Sequence, residues 1–260
     1  MAIIEQPTPP SRAPGAPAPP ADAVVELADA RFSWGESPNP IIAIASLRIV
    51  RGERLLLRGP SGSGKSTLLS LLAGVLRAQS GSVKVLGRDM TTLRGSARDQ
   101  FRADHIGVIF QMFNLIPYLS VRENVALPCV FSARRRERCE RAGLGVAASA
   151  AELLEHLDMG ADEILRREAT KLSVGQQQRV AAARSLIGSP ELVLADEPTS
   201  SLDADRRAAF LELLFRECAR ASATLIFVSH DATLEPLFDR CVEFHDVNRF
   251  AASRPATIRA

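Results

Sequence analysis

The sequence has no run of about eighteen uninterrupted apolar residues, the length a helix needs to cross a bilayer, so any membrane role has to come through a partner. It has four cysteines, Cys129, Cys139, Cys218 and Cys241, and none forms a CxxC pair. That spacing argues against a zinc site and against a disulfide framework, and it suits a reducing cytoplasm. An excess of one charge is also missing. With 32 Lys and Arg against 30 Asp and Glu, the formal charge is +2, and no global basic field favours a nucleic acid. The one dense basic cluster, Arg134, Arg135, Arg136 and Arg138, reads as a solvated helix face, or else as a contact for acidic groups or lipid headgroups at a membrane surface. The first 22 residues lack an apolar h-region and are crowded with Pro and Ala, so they are expected to form a disordered tail. The remainder, 23–260, drawn from a chain of 260 residues with 46% hydrophobic content, can bury one substantial core with a small attached subdomain.

What is present is the string GPSGSGKST directly after Leu55, Leu56 and Leu57. It runs Gly59, Pro60, Ser61, Gly62, Ser63, Gly64, Lys65, Ser66, Thr67 and fits the phosphate-binding pattern GxxxxGKS at each fixed position. Glycines let the backbone curl so that several N–H groups point inward, Lys65 can reach outer phosphates, and the Ser66 hydroxyl is placed to ligate Mg²⁺. The helix that follows, from Ser66 to about Leu76, starts at the phosphates. Its unpaired N–H groups and positive dipole end favour anions there, by about 1 kcal/mol beyond the charge of the lysine.

Four short β-rich runs each stop at a polar residue: ERLLLRG at Gly59, IGVIFQ at Gln111, LVLADE at Asp196 and Glu197, and TLIFVSH at Ser229 and His230. Continuous Val, Ile and Leu runs are typical of strands buried on both faces, and helical segments between them imply a mostly parallel sheet with crossover helices. Ligands of such sheets bind beyond the carboxyl ends of the strands, which gathers these polar residues around phosphates held by 59–67. With MgATP as the ligand, Asp196 suits the metal, and Glu197 can orient or deprotonate the attacking water. Gln111 can bind the metal or the water through its amide oxygen, and His230 can donate a hydrogen bond to the γ-phosphate. Taken singly, Gln111 and His230 are ordinary polar residues; their shared position at strand ends gives them a role. Further on, Ser173 and Gln176 have capping-box spacing before an alanine-rich helix. Gly175 in its first turn costs helix stability, which hints at a close-approaching ligand or backbone.

In this order the motifs resemble the ATP-binding cassette (ABC) family from about Val24 to Phe244. GPSGSGKST resembles its Walker A, Gln111 its Q-loop glutamine, LSVGQ its signature, LVLADEP its Walker B with Glu197 catalytic, Ser201-Leu202-Asp203 its D-loop, and His230 its switch histidine. The signature carries Val174 where the family more often has glycine. The resemblance implies an α/β fold: a P-loop NTPase core with a mostly parallel sheet, an N-terminal antiparallel β-subdomain and an inserted helical subdomain over about 112–171. It implies an adenine-stacking aromatic ahead of Walker A. Trp34 is favoured over Phe32 because a broader π-face suits a purine. It also implies a head-to-tail dimer, a homodimer in the simplest case, in which Ser173, Gly175, Gln176 and Asp203 of one copy complete the site of the other.

Ser120 and Glu123 form another capping-box pattern in the inserted region, Pro117 and Pro128 punctuate it, and Ala147 to Leu157 is rich in helix formers. Met112, Phe113, Leu115, Ile116 and Tyr118 either line a groove for a short helix of a permease or pack in the core. FQMFNLIPYLSVRENVALP is similar to the branch serving lipoprotein release and macrolide export. The implied protein is a peripheral ATPase subunit on the cytoplasmic face of the inner membrane, held there by a transmembrane permease. The alternative is a non-transporting ATPase that regulates a membrane partner controlling cell-wall hydrolases.

Overall fold

The computed structural model describes residues 23–35, 37 and 39–249. The N-terminal Pro/Ala segment and residues 250–260 lie outside them. The chain opens with two long strands, β1 (Ala23–Phe32) and β2 (Ile42–Val50), then the short β3 (Arg54–Arg58). Helix α1 (Lys65–Leu72) follows, then β4 (Ser80–Val85), β5 (Arg88–Asp89), α2 (Gly95–His105) and β6 (Ile106–Ile109). Four helices form the inserted region: α3 (Val121–Phe131), α4 (Ala133–Arg141), α5 (Gly145–His156) and α6 (Asp162–Leu165). The chain returns through α7 (Val174–Leu186), β7 (Leu192–Asp196), α8 (Ala204–Arg220), β8 (Thr224–Ser229) and β9 (Arg240–Glu243).

Two sheets result. One is antiparallel, in the order β2-β1-β4-β5, and the other, β6-β7-β8-β3-β9, is parallel in each pairing. The parallel sheet divides two apolar cores because strand side chains alternate between faces. Leu56, Ile109, Val193, Ala195, Leu225 and Phe227 pack with α7, α8 and the inserted helices on one side. Leu55, Leu57, Leu192, Leu194, Ile226 and Val228 pack with α1 and the antiparallel sheet on the other. Register sets Arg58 beside Ser229, Asp196 beside Val228 and Ile109 beside Ala195, so the carboxyl ends of four adjacent strands share one edge.

The structure corrects three local expectations. Helix α1 ends at Leu72, short of Leu76, because the chain turns at Gly74 with φ of 68°. Pro128 does not interrupt the insert; α3 continues through it to Phe131. The basic cluster is not a uniformly solvated face. Arg135 is 1% exposed, and its guanidinium donates to the carbonyl oxygens of Ile106 at 2.7 Å, Ile187 at 3.1 Å and Ser185 at 3.3 Å. The last carbonyls of a helix lack partners within it and carry the negative dipole end, so a guanidinium aimed at the C-terminus of α7 is favourable. Arg134 and Arg138 meet Glu191 at 2.9 and 2.5 Å, with His105 on its other oxygen at 3.1 Å. Arg134 and Arg136 keep the expected exposure, although Arg136 Nη1 also reaches the Cys129 carbonyl at 3.2 Å.

Candidate functional site

The loop 59–67 joins β3 to α1 at the shared strand edge. At its end Gly64 takes φ of 108°, and a Cβ there would stand 3.1 Å from the Ile41 carbonyl, so both the backbone angle and the space require glycine. Gly64 is also the N-cap of α1. It supplies no side-chain cap, and the first turn holds no acidic residue, so the helix presents its amides and positive dipole end to the loop. Lys65 is 4% exposed, with Nζ donating to the carbonyls of Gly59 at 2.7 Å and Pro60 at 2.9 Å. Burial lowers its pKa, and the nearby Glu197 and Asp196 act in the opposite sense. The ammonium is therefore held inside the loop with its charge only partly answered.

Asp196 ends β7, and burial raises its pKa against a hydrogen bond from the Ser66 side chain. Glu197 follows in the left-handed region at φ of 44°, fixed there by its N–H donating to the Val228 carbonyl at 3.0 Å. A non-glycine residue in that region costs backbone energy of order 1–3 kcal/mol and marks a constrained place. The turn brings the Glu197 carboxylate to 3.9 Å from Lys65 Nζ and to 3.2 Å from His230 Nδ1. Loop 59–67, Asp196, Glu197 and His230 are thus assembled from β3, β7 and β8. Gln111 is exposed two residues beyond the end of β6, the neighbour of β7.

The remaining sequence candidates lie in other places. Ser173 caps α7 in a complete box: its hydroxyl accepts from the Gln176 N–H at 3.3 Å, and the Gln176 side chain accepts from the Ser173 N–H at 3.0 Å. Val174 opens the helix, so a β-branched residue meets no conformational penalty, and its side chain is 50% exposed. A Cβ built on Gly175 meets nothing of its own chain within 4 Å, so the close approach expected there is not made within one copy. Asp203 caps α8, accepting from the Arg206 N–H at 2.9 Å. Trp34 is 57% exposed and meets Phe32 edge-to-face at 5.1 Å, whereas Phe32 is 7% exposed in the core. Among the apolar residues after Gln111, Met112 and Tyr118 are 80% and 78% exposed while Phe113 is buried, with Leu115 and Ile116 between.

Three supports have no local sequence signal. Gln178, fully buried in α7, donates to the Pro198 carbonyl at 2.9 Å and fixes the turn after Glu197. Arg184 of α7 donates to the carbonyls of Phe113 and Asn114, both at positive φ, and so holds the loop after Gln111. Arg207 of α8 pairs with Asp231, next to His230.

A Gly/Lys/Ser phosphate loop between a parallel strand and an uncapped helix, with acidic and imidazole groups on adjacent strand ends, defines a P-loop nucleotide-binding protein. The profile of the ABC transporter family matches residues 42–200. The uncharacterized ABC transporter ATP-binding protein YbbA of Escherichia coli is 39% identical over 225 residues, 86% of this chain and 95% of YbbA. Mb2593 of Mycobacterium bovis, which bears the same description, is 38% identical over 241 residues, 91% of this chain and 67% of that protein. Among solved structures, the dimeric post-hydrolysis state of the ATP-binding cassette MJ0796 with ADP and Pi superposes with a TM-score of 0.74. It is 32% identical and spans 84% of this chain and 93% of that one. CbiO1 of Clostridium perfringens, part of the cbiONQ ABC transporter complex, gives 0.69 at 25% identity, spanning 83% of this chain and 82% of that one. The chain belongs to the ABC transporter family as an ATP-binding protein and is an ATPase.

Proposed function

We propose that this chain is the ATP-hydrolysing subunit of an ABC transporter of the lipoprotein-release or macrolide-export type. It closes head to tail with a second copy and drives a separate membrane permease from the cytoplasmic face. The observation that carries the hydrolytic assignment is the contact set at the strand edge, where Glu197 stands between Lys65 and His230 while its backbone is pinned to β8.

Loop amides and the Lys65 ammonium bind the phosphates, which replace the carbonyls that Lys65 Nζ now contacts. Trp34 offers an exposed ring to adenine, and Phe32 supports it from the core. A divalent cation fits the oxygen donors here, because the half-buried Asp196 carboxylate, its pKa raised by desolvation, lies beside the Ser66 hydroxyl and is stabilised by positive charge. Among the described residues no group of three or more His, Cys, Asp and Glu side chains is arranged to hold a metal ion by itself, so Ser66, Asp196, Gln111 and the phosphates themselves would hold it. When bound, Mg²⁺ neutralises charge on the phosphate oxygens. The Glu197 carboxylate accepts the proton of the attacking water. His230 is oriented by the contact of its Nδ1 with Glu197, which leaves Nε2 as the ring nitrogen that meets a γ-phosphate oxygen.

The trans half of the site rests on the end of α7. Ser173 is capped and preorganised, and the open space over Gly175 leaves room for the partner's phosphates. Asp203 at the head of α8 joins the same dimer face. The exposed Met112 and Tyr118 beside Gln111 supply apolar surface for a permease helix.

The test is copurification with the neighbouring membrane protein, followed by ATPase and vesicle uptake assays on the reconstituted complex. A multi-span permease with ATP-dependent movement of cargo is expected. Hydrolysis with no cargo and altered cell-wall hydrolase activity would replace transport with the regulatory function.

A further inference from the structure

Two cysteines far from the nucleotide site meet across a helix junction. Cys129 lies in the last turn of α3 and Cys139 in α4, with Ser132 the one residue between the two helices. Both thiols are free and buried, and their sulfurs are 4.0 Å apart. Cys139 also lines a surface cavity of about 190 Å³ with Arg138, Ser149 and Leu186, large enough for a small oxidant. Cys129 sits behind it and does not line the cavity.

We propose that Cys129 and Cys139 form an oxidation site, in which a peroxide oxidises Cys139 from the cavity and Cys129 resolves the product to a disulfide joining α3 to α4. The surroundings give the two thiols different roles. The Cys129 thiol, the Ser149 side chain and the Gly188 backbone hydrogen-bond to the Cys139 sulfur and lower its pKa, with help from the charge of Arg135. Cys129 is shifted the opposite way, by that same hydrogen bond and by burial. A thiolate stabilised by donors and cations is the usual setting of an oxidisable cysteine, and a resolving thiol beside it completes the pair.

The chemistry balances. The Cys139 thiolate attacks one oxygen of hydrogen peroxide and the O–O bond breaks; the attacked OH stays on sulfur as the sulfenic acid, and the other leaves as hydroxide, which takes the proton released when Cys139 ionised and becomes water. The Cys129 sulfur then attacks the sulfenic sulfur, the S–S bond forms as the S–O bond breaks, and the departing hydroxide takes the Cys129 proton as a second water. Two thiols lose two electrons and two protons, and one peroxide is reduced to two waters. The sulfurs must approach by about 2 Å to reach bonding distance. The bridge fastens the end of α3, whose Leu127, Pro128 and Phe131 wall the groove beside the loop after β6, to α4.

The other thiols are poorer candidates. Burial pushes the Cys218 thiol up to about 12, and burial also raises that of Cys241.

The test treats the full reduced chain with hydrogen peroxide, alkylates what remains, and maps peptides without reduction. A Cys129–Cys139 linked peptide that dithiothreitol releases is expected, with Cys139 reacting roughly tenfold faster than Cys241. In Cys129→Ser, dimedone should label Cys139 as the trapped sulfenic acid. Oxidation first at Cys241 or Cys218, or both Cys129 and Cys139 still fully alkylated after peroxide, would overturn the proposal. The wild-type map decides the matter if the variant does not fold.

Discussion

Replacing Arg135 by Met removes a buried cation that joins three segments distant in sequence. Its guanidinium supplies hydrogen bonds to the carbonyls of Ile106, Ser185 and Ile187 at 2.7, 3.3 and 3.1 Å. Hydrogen bonds from a charged donor contribute about 1.5–3 kcal/mol each, but the native arrangement already bears the desolvation of an arginine that is 1% exposed, so the three do not simply add. Methionine keeps most of the apolar stem and leaves buried carbonyls unpaired. The expected loss is about 3–5 kcal/mol, the range seen when one member of a buried charged cluster is removed. With a urea slope of about 2–3 kcal/mol/M, the unfolding midpoint falls by about 1–2 M. Urea titration followed by circular dichroism reads this directly. Arg136→Met, the next residue along α4 but on its exposed face, is the control and should stay within about 0.5 kcal/mol of the parent. If Arg135→Met unfolds at a midpoint within the error of that control, the clamp between α4, β6 and the end of α7 contributes nothing.

Glu197→Gln keeps the shape and the backbone of the turn but removes the base, so ATP turnover in a phosphate-release assay should fall by about 10²–10⁴ while nucleotide binding persists. Asp196→Asn should raise the melting temperature at neutral pH while weakening MgATP binding by isothermal titration. Burial raises the Asp196 pKa, so the folded chain holds that proton to higher pH than the unfolded chain, and the aspartate subtracts stability as pH rises through its unfolded value. Trp34→Ala should weaken ATP binding with little change in urea midpoint, because the ring is 57% exposed; Phe32→Ala, in the core, should cost about 3–5 kcal/mol of stability. The reverse pattern would give the adenine contact to Phe32.

The parallel sheet and its loaded edge were legible because their signals are local. Each of β3, β6, β7 and β8 is a short Val/Ile/Leu run that stops at a polar group, and hydrogen bonding aligns those stops whatever lies between. The capping boxes at Ser120 and Ser173 were legible for the same reason, since donor and acceptor are three residues apart. Arg135 was not. A run of four arginines in five positions reads as solvated until Ile106 and Ile187, 29 and 52 residues away, bring their carbonyls to one of them. The end of α1 had a readable signal in Gly74, which the continued apolar pattern through Leu76 outweighed. The meeting of Cys129 and Cys139 depends on how α3 turns into α4 at Ser132, an angle that cysteine spacing alone does not encode.

The most direct measurement is a crystal structure of Glu197→Gln grown with MgATP. It should place the β- and γ-phosphates within the amides of 59–67 and against Lys65, with Asp196, Gln111 and His230 around them and Ser173 and Gly175 of a second copy on the γ-phosphate. Phosphates seated elsewhere, or a single copy with its nucleotide open to solvent at saturating ATP, would contradict the account.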